Sequence, residues 1–165
     1  MTHPATQAPL ATPLVTPRRT LEQALGPIHE RWMEEVHRAL DPGMARRASL
    51  WDRWTATRYL IDQFDLRLRH EYALLESLLP LLPPAEAARL AAGRQDLERI
   101  RAELDELGRR RGTGPRVAML LAEFRRVFTT WCAEIELAVA PLACDDLPAE
   151  SRRLLEEYEA ASAPP

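Results

Sequence analysis

One pattern occurs twice in this chain, and it predicts two related helical hairpins. The segment RHEYALLESLLPLLPPAE, which begins at residue 69, recurs from residue 130 as TWCAEIELAVAPLACDDLPAE. His70 stands ten residues before Pro80 in the first copy, and Trp131 stands ten residues before Pro141 in the second. Proline lacks the N–H donor that a helix interior needs, and its ring clashes with the preceding turn. Each copy therefore predicts a helix that stops near proline and turns into the next helix.

Apolar periodicity and capping signals predict five helices. Thr20 and Gln23 have the spacing of a capping box at the start of the first helix, which ends near Asp41. Further helices are predicted at 46–82, 84–107, 116–143 and 148–161. No segment alternates as a strand does. Long amphipathic helices with short links predict an all-α protein, an antiparallel up-down four-helix bundle with a short C-terminal fifth helix.

Composition divides the chain into three parts. Residues 1–17 are rich in Pro, Thr and Ala and predict a disordered leader. Residues 18–161 are predicted to form the bundle, and 162–165 a tail. The chain has neither a stretch of eighteen apolar residues nor a signal-peptide pattern at residue 1, so we expect a cytoplasmic protein without a membrane partner.

Charge and cysteine usage argue against two classes of function. All 22 basic residues are arginine, which indicates a nucleotide-composition bias of bacterial type, and the net charge is -3. Nucleic-acid binding needs a basic face, so we expect no such partner; the run Arg109–Arg111 is typical of a helix C-terminus. Cys132 and Cys144 stand twelve residues apart without a Cys-x-x-Cys motif, which favours neither a disulfide framework nor a zinc site.

The predicted helix 46–82 is apolar on two sides. One stripe includes Phe64, Leu68 and Leu75, and the other consists of Leu66, His70, Leu74 and Leu81. A helix that is apolar on both sides either lies at the centre of a bundle or has a partner on its second face. The second stripe therefore predicts a homo-oligomer or a protein partner.

The hairpins resemble the hemerythrin-like (HHE cation-binding) family over about residues 20–160. The segment RHEYALLESLLPLL is similar to the family's second-helix motif, with His70 in the ligand position. His29, in GPIHERW, stands where the family places its first histidine. The resemblance implies two helical hairpins in an up-down bundle and, in members with all their ligands, a di-iron centre.

Most ligand positions of that family hold other residues here. Leu74 replaces the bridging carboxylate four residues after His70, and the third-helix histidine position aligns with Arg94, followed four residues later by Glu98. In the fourth helix the histidine and acidic positions hold Trp131 and Ile135, with Glu134 and Glu136 on either side. Two adjacent irons need bridging carboxylates to offset their charge. We therefore predict that the di-iron centre is absent and that the protein has no cofactor.

His29 and His70 leave several hypotheses open. Each could be a hydrogen-bonded core residue, or a ligand in a mononuclear iron or zinc site completed by Glu98 or Glu136. Axial ligation of haem inside the bundle is another alternative, and acid–base catalysis by His70 with a neighbouring glutamate is a third.

Arg94 and the tryptophans also have two interpretations. Arg94 could form a surface pair with Glu98, or its guanidinium could stand in for the lost metal charge and hold Glu71 or Glu136 inside the bundle. The tryptophans predict core packing, with an aromatic-lined pocket as the alternative.

Two classes of function follow. The leading hypothesis is a degenerate hemerythrin-like domain that acts as a non-enzymatic interaction or regulatory module. The alternative is a metal- or haem-binding protein for sensing or oxygen chemistry that uses His29 and His70.

Overall fold

The described residues form an all-helical structure. The computed structural model describes residues 18–39, 50–109 and 115–163. Its helices are α1 (Leu21–Ala39), α2 (Leu50–Leu78), α3 (Pro84–Arg109), α4 (Pro115–Val139) and α5 (Ala149–Ala161). Short 3-10 turns at Leu79–Leu81 and Cys144–Asp146 follow α2 and precede α5. Over these ranges, extended pairing is limited to one isolated bridge between Thr20 and Ala143. The predicted all-α class is confirmed.

The capping box at the start of α1 is confirmed. The backbone N–H of Thr20 donates to Gln23 Oε1 at 3.0 Å, and the backbone N–H of Gln23 donates to Thr20 Oγ1 at 3.3 Å. These two bonds satisfy donors that the first turn of a helix leaves without intrahelical partners.

Two predicted helix ends differ from the structure by four residues, and the other predicted bounds that fall on described residues differ by at most two. The helix predicted to reach residue 82 ends at Leu78, where Pro80 forces the tighter 3-10 turn. The helix predicted to reach residue 143 ends at Val139, and the N–H of Leu142 then closes a turn on the Val139 carbonyl at 2.9 Å. The predicted start at residue 46 and the predicted leader 1–17 lie outside the described residues.

Each of the four long helices packs against two others. Helix α1 packs against α2 and α4, and α3 packs against the same two helices. Helix α5 packs against α2. The segment before α1 is fastened to the link between α4 and α5, because the N–H of Leu21 donates to Leu142 O at 2.8 Å and the N–H of Cys144 donates to Arg19 O at 2.9 Å. Fixed neighbours on both sides hold α1 in place, and α1 carries His29.

An aromatic cluster fills the core between α1, α2, α4 and α5. Trp32 stacks on Phe128 with ring centroids 5.9 Å apart, and Phe64 and Tyr158 meet Trp32 edge-on. Phe64 also meets Phe124 edge-on. Edge-on and offset pairs are the arrangements that aromatic rings prefer. The prediction that Trp32 packs in the core is confirmed; the side chains of Trp51 and Trp54 lie outside the described residues.

The predicted second apolar stripe of α2 does not form one continuous face. Leu74 is fully buried, whereas Leu66 is 55% exposed and Leu81 is 43% exposed. The side chain of His70, between them in the pattern, is half-buried. The prediction of a partner on this side of the protein therefore rests on Leu66 and Leu81 alone.

Candidate functional site

His29 is a fully buried ionisable residue on α1. It lies on the apolar face predicted from the sequence, together with Leu25, Trp32 and Val36, all of which are buried. A polar ring in such a place costs free energy unless both of its nitrogens find hydrogen-bond partners. Its contacts therefore define the site.

Both ring nitrogens of His29 contact a carboxylate. Nε2 lies 2.9 Å from Oε1 of Glu71 on α2, and Nδ1 lies 2.7 Å from Oε1 of Glu136 on α4. The Glu71 side chain is buried, whereas 29% of the Glu136 side chain is exposed. We call His29, Glu71 and Glu136 the carboxylate–imidazole triad. It joins three of the four long helices through one ring.

The triad favours the protonated form of His29. A neutral imidazole has one N–H donor, whereas an imidazolium has two, and two are needed to donate to both carboxylates. Burial lowers the pKa of His29, but the hydrogen bonds to Glu136 and Glu71 and the charges of both carboxylates outweigh burial and raise it from 6.5 to about 9. The ring is therefore an imidazolium at neutral pH, and one buried cation lies between two acidic groups.

Other polar atoms surround Glu71. Glu71 Oε2 and Tyr158 Oη are both buried and lack a hydrogen-bond partner among the described residues. Burial raises the pKa of Tyr158 well above its ordinary value, and the nearby charge of Glu71 raises it further. The Tyr158 hydroxyl therefore lies near the Glu71 carboxylate. Cys132 is also buried, and burial and the charges of Glu71 and Glu136 raise the pKa of its thiol, so this cysteine is a neutral thiol.

The triad does not fit a metal-binding site. The two nitrogens of an imidazole lie on opposite edges of the ring, so the carboxylates that contact them approach from opposite sides. An imidazolium also has no lone pair to give to a metal, because metal-bound histidine is neutral. Among the described residues, no group of three or more His, Cys, Asp and Glu side chains is arranged so that it could hold a metal ion. The arrangement instead links helices through ionic hydrogen bonds.

The other candidate ligands, His70 and Glu98, make no hydrogen bond or ion pair with the triad. His70 precedes Glu71, but its half-buried side chain makes no hydrogen bond or ion pair with any described residue. Glu98 is exposed and accepts a hydrogen bond from Arg94 Nε at 2.9 Å. Of the four residues named from the sequence as ligands, the structure thus brings together His29 and Glu136.

Arg94 forms the surface pair predicted from the sequence. Besides Glu98, it contacts Glu76 Oε1 at 2.6 Å, and its guanidinium lies 4.3 Å from the centroid of the Tyr72 ring. It makes no ion pair with Glu71 or Glu136. The alternative, in which Arg94 replaces the metal charge inside the protein, is wrong because His29 supplies the cation that holds those two carboxylates.

Trp131 is fully buried. It stands in the second copy of the repeated segment at the position that His70 holds in the first. Its indole N–H donates to the backbone carbonyl of Leu90 on α3 at 3.3 Å, and its ring meets Tyr72 edge-on. Ile135, which follows Trp131 by four residues, is fully buried as well. The predicted core role of Trp131 is confirmed, and the indole fills space between α3 and α4.

A separate cavity of about 160 Å³ lies between α2 and α3. Its lining includes Asp65, Arg69, Glu98 and Arg101 but no member of the triad. Asp65 is paired with Arg101, and Glu98 with Arg94. Because paired charges form much of its wall, we assign no chemistry to this cavity.

Glu71 is the member of the triad that the sequence did not indicate as a partner of His29. The spacing of Glu71 could have indicated that it is buried. Glu71 follows Leu68 by three residues and precedes Leu75 by four, so it lies on the stripe that α2 buries. A carboxylate within a buried apolar stripe needs a cation or donors nearby. The resemblance to the family's motif instead predicted His70 as the ligand, which precedes Glu71 by one residue and lies on another side of α2.

Over the described residues, no helix combines the length and apolar character that crossing a bilayer requires. Searches of protein-family models, of curated proteins and of solved structures returned no match to this chain.

Proposed function

We propose that this chain is a hemerythrin-like four-helix bundle that lacks a di-iron centre and acts as a non-enzymatic interaction or regulatory module. In this proposal the helices are the functional scaffold, and the interior that would hold irons is closed by the protein's own side chains.

The packing of the helices supports the architecture. Each of α1, α2, α3 and α4 touches two of the others, which is the neighbour relationship of a four-helix bundle. Helices α2 and α3 are joined by a short connection at 79–83, as expected for antiparallel neighbours.

The contacts of His29 carry the proposal. His29 stands at the first-histidine position of the resemblance, and there both of its nitrogens hydrogen-bond to carboxylates of the protein. A metal could bind only after a proton leaves the ring and one carboxylate moves. That rearrangement would also leave Glu71 buried without the imidazolium, and an unpaired buried charge is strongly destabilising.

The remaining positions of the motif support the same conclusion. Leu74, Trp131 and Ile135 are all fully buried, so they pack in the interior where ligands would otherwise lie. None of the three offers an oxygen, or a nitrogen with a free lone pair, to a metal. A chain that keeps the scaffold but fills the interior in this way is suited to presenting a surface.

Metal analysis of the purified full-length protein tests the proposal. After incubation with ferrous iron and, separately, with haem, we expect less than one tightly bound metal per chain and no Soret band. The matched variants are His29→Ala and His70→Ala. Two irons per chain, or a Soret band that His29→Ala abolishes, would overturn the proposal. One metal per chain that His70→Ala abolishes would establish the alternative, a mononuclear site.

A further inference from the structure

One oxygen of the triad has no hydrogen-bond donor within the part of the chain that the structure describes. Glu71 contacts His29 through Oε1, whereas its Oε2 is buried and has no partner there. Both oxygens of a carboxylate can accept hydrogen bonds, and a buried charged group loses stability when part of it stays unsatisfied. A donor next to Oε2 would therefore stabilise Glu71 in its anionic form.

Tyr158 on α5 carries a donor close to this oxygen. Its side chain is fully buried, and its hydroxyl also has no hydrogen-bond partner among the described residues. The Tyr158 ring meets Trp32 edge-on with centroids 5.9 Å apart, and Trp32 follows His29 by three residues on the buried face of α1. The hydroxyl lies near the Glu71 carboxylate. Two buried groups, one that can only accept and one that can donate, thus lie near each other.

The other groups around the Tyr158 hydroxyl leave Glu71 as its acceptor. Arg67 on α2 and Cys132 on α4 are also nearby, but a guanidinium can only donate and a neutral thiol is a weak acceptor. Glu136 is already bonded to the ring of the triad. Burial raises the pKa of Tyr158 well above its ordinary value, so the phenol keeps its proton and can donate it.

Helix α5 has few other links to the interior. The buried residues within this helix are Ser151, Leu155 and Tyr158. Ser151 Oγ donates to a backbone carbonyl of α2 at 3.5 Å, which is long for a hydrogen bond. The ion pair of Glu159 with Arg19 is partly exposed, so solvent weakens it. An element with few buried contacts opens at a lower free energy than the whole protein, so one buried ionic hydrogen bond would strongly affect how firmly α5 docks.

We propose that Tyr158 is the fourth member of the buried network, that its hydroxyl donates to Glu71 Oε2, and that this bond couples the docking of α5 to the ion pair of Glu71 with His29. A hydrogen bond to an anion is about twice as strong as a neutral one. Loss of the charge on Glu71 or His29 therefore loosens α5 and uncovers the surface of α2 against which it packs. The proposal rests on the function proposed above, because it supplies a means of regulating the interaction module.

Amide hydrogen exchange of α5 in the full-length protein tests this coupling. Tyr158→Phe keeps the ring and its contact with Trp32 and removes only the hydroxyl. We expect the α5 amides of this variant to exchange about thirtyfold faster than those of wild type, because a hydrogen bond to a charged group is lost. In the Glu71→Gln background the same replacement should accelerate exchange only about fivefold, since the bond lost there is a neutral one.

Tyr72→Phe is the matched control. Tyr72 follows Glu71 by one residue, and its hydroxyl is likewise buried without a hydrogen-bond partner among the described residues. Its ring contacts Trp131 on α4 and Arg94 on α3 rather than α5. Removal of this hydroxyl should leave the exchange of the α5 amides unchanged.

The hydroxyl proton of Tyr158 gives a second measurement that needs no destabilised background. The protein contains three tyrosines, and Tyr158→Phe assigns the signal of this residue. At pH 7 we expect a hydroxyl proton that exchanges slowly enough with water to be seen by NMR, and an exchange rate that rises in His29→Gln.

Three outcomes would overturn the proposal. They are α5 amides that exchange at the wild-type rate in Tyr158→Phe, an equal acceleration with and without Glu71→Gln, and an effect of Tyr72→Phe as large as that of Tyr158→Phe. None of them depends on metal content. A metal-free protein in which Tyr158→Phe changes nothing would remove the coupling and leave the proposed function standing, whereas bound iron would remove the proposed function itself.

Discussion

Trp131 lies directly against the backbone of Gly93. A Cβ atom added at Gly93 would fall 2.4 Å from Trp131 Cδ1 and 3.2 Å from Nε1. Contacts that short are not tolerated, so glycine at residue 93 is what allows α3 and α4 to approach with an indole between them. The tryptophan at the motif's ligand position and the glycine on the facing helix form one packing unit.

Gly93→Ala should therefore destabilise the protein. Alanine is the better helix former by about 1 kcal/mol, but the overlap with Trp131 should cost more, so we expect a net loss of about 1–3 kcal/mol in the free energy of unfolding. Urea denaturation measures this difference. Gly26→Ala is the matched control, because nothing lies within 4 Å of a Cβ at that position of α1, and it should be neutral or stabilising. Equal effects of both variants would contradict the packing described.

Loss of the capping box at the start of α1 should lower the stability of the protein by less than Gly93→Ala does. Thr20→Ala removes the oxygen that accepts from the Gln23 N–H, and loss of such a cap typically costs about 1 kcal/mol. Thr129→Ala removes an exposed hydroxyl that bonds within α4 to the Arg125 carbonyl and should cost less. The melting temperatures of the two variants, measured by thermal unfolding, compare these two losses of stability.

The sequence predicted the local features of the helices more accurately than it predicted the carboxylate–imidazole triad. The capping box, the proline-ended helices and the Arg94–Glu98 pair all depend on residues close in the chain, so spacing alone specifies them. The triad depends on the relative rotation of α1, α2 and α4, which spacing does not determine. The alignment placed His70 at the ligand position, whereas the packing of α2 turns Glu71 towards His29.

The pKa of His29 predicts how stability depends on pH. Its value is raised from 6.5 to about 9 in the folded protein, so the stabilisation is fully present below about pH 6.5 and is lost as pH rises through 9. This shift in the pKa of His29 corresponds to roughly 3 kcal/mol in the free energy of unfolding. We expect wild type to lose stability to urea between pH 6.5 and 9, and His29→Gln to be nearly insensitive to pH over that window.

His37→Gln is the control for that profile. His37 is exposed, with Nδ1 2.6 Å from Met33 O and no carboxylate partner. Its replacement should leave the wild-type slope unchanged. A flat wild-type profile, or a slope that His37→Gln removes, would contradict the assignment to the triad.

The two carboxylates of the triad should differ in their energetic importance. Glu71 is fully buried, so Glu71→Gln leaves the imidazolium in a dry environment with one anionic partner, and we expect a loss of about 3 kcal/mol. Glu136 is partly exposed, where solvent screens the charge, and Glu136→Gln should cost about 1 kcal/mol. Each variant should lower the pKa of His29, which a proton NMR titration of its ring measures. Equal costs would argue against the difference in burial as the cause.

The nitrogen NMR signals of His29 test the central claim most directly. The protein contains four histidines, and the His29→Gln variant assigns the signals of this ring in a sample labelled with ¹⁵N-histidine. At pH 7 we expect both ring nitrogens to be protonated and their signals to stay unchanged when ferrous iron is added. A ring with one unprotonated nitrogen would contradict the imidazolium, and signals that shift or vanish in proportion to added iron would show that His29 is a metal ligand.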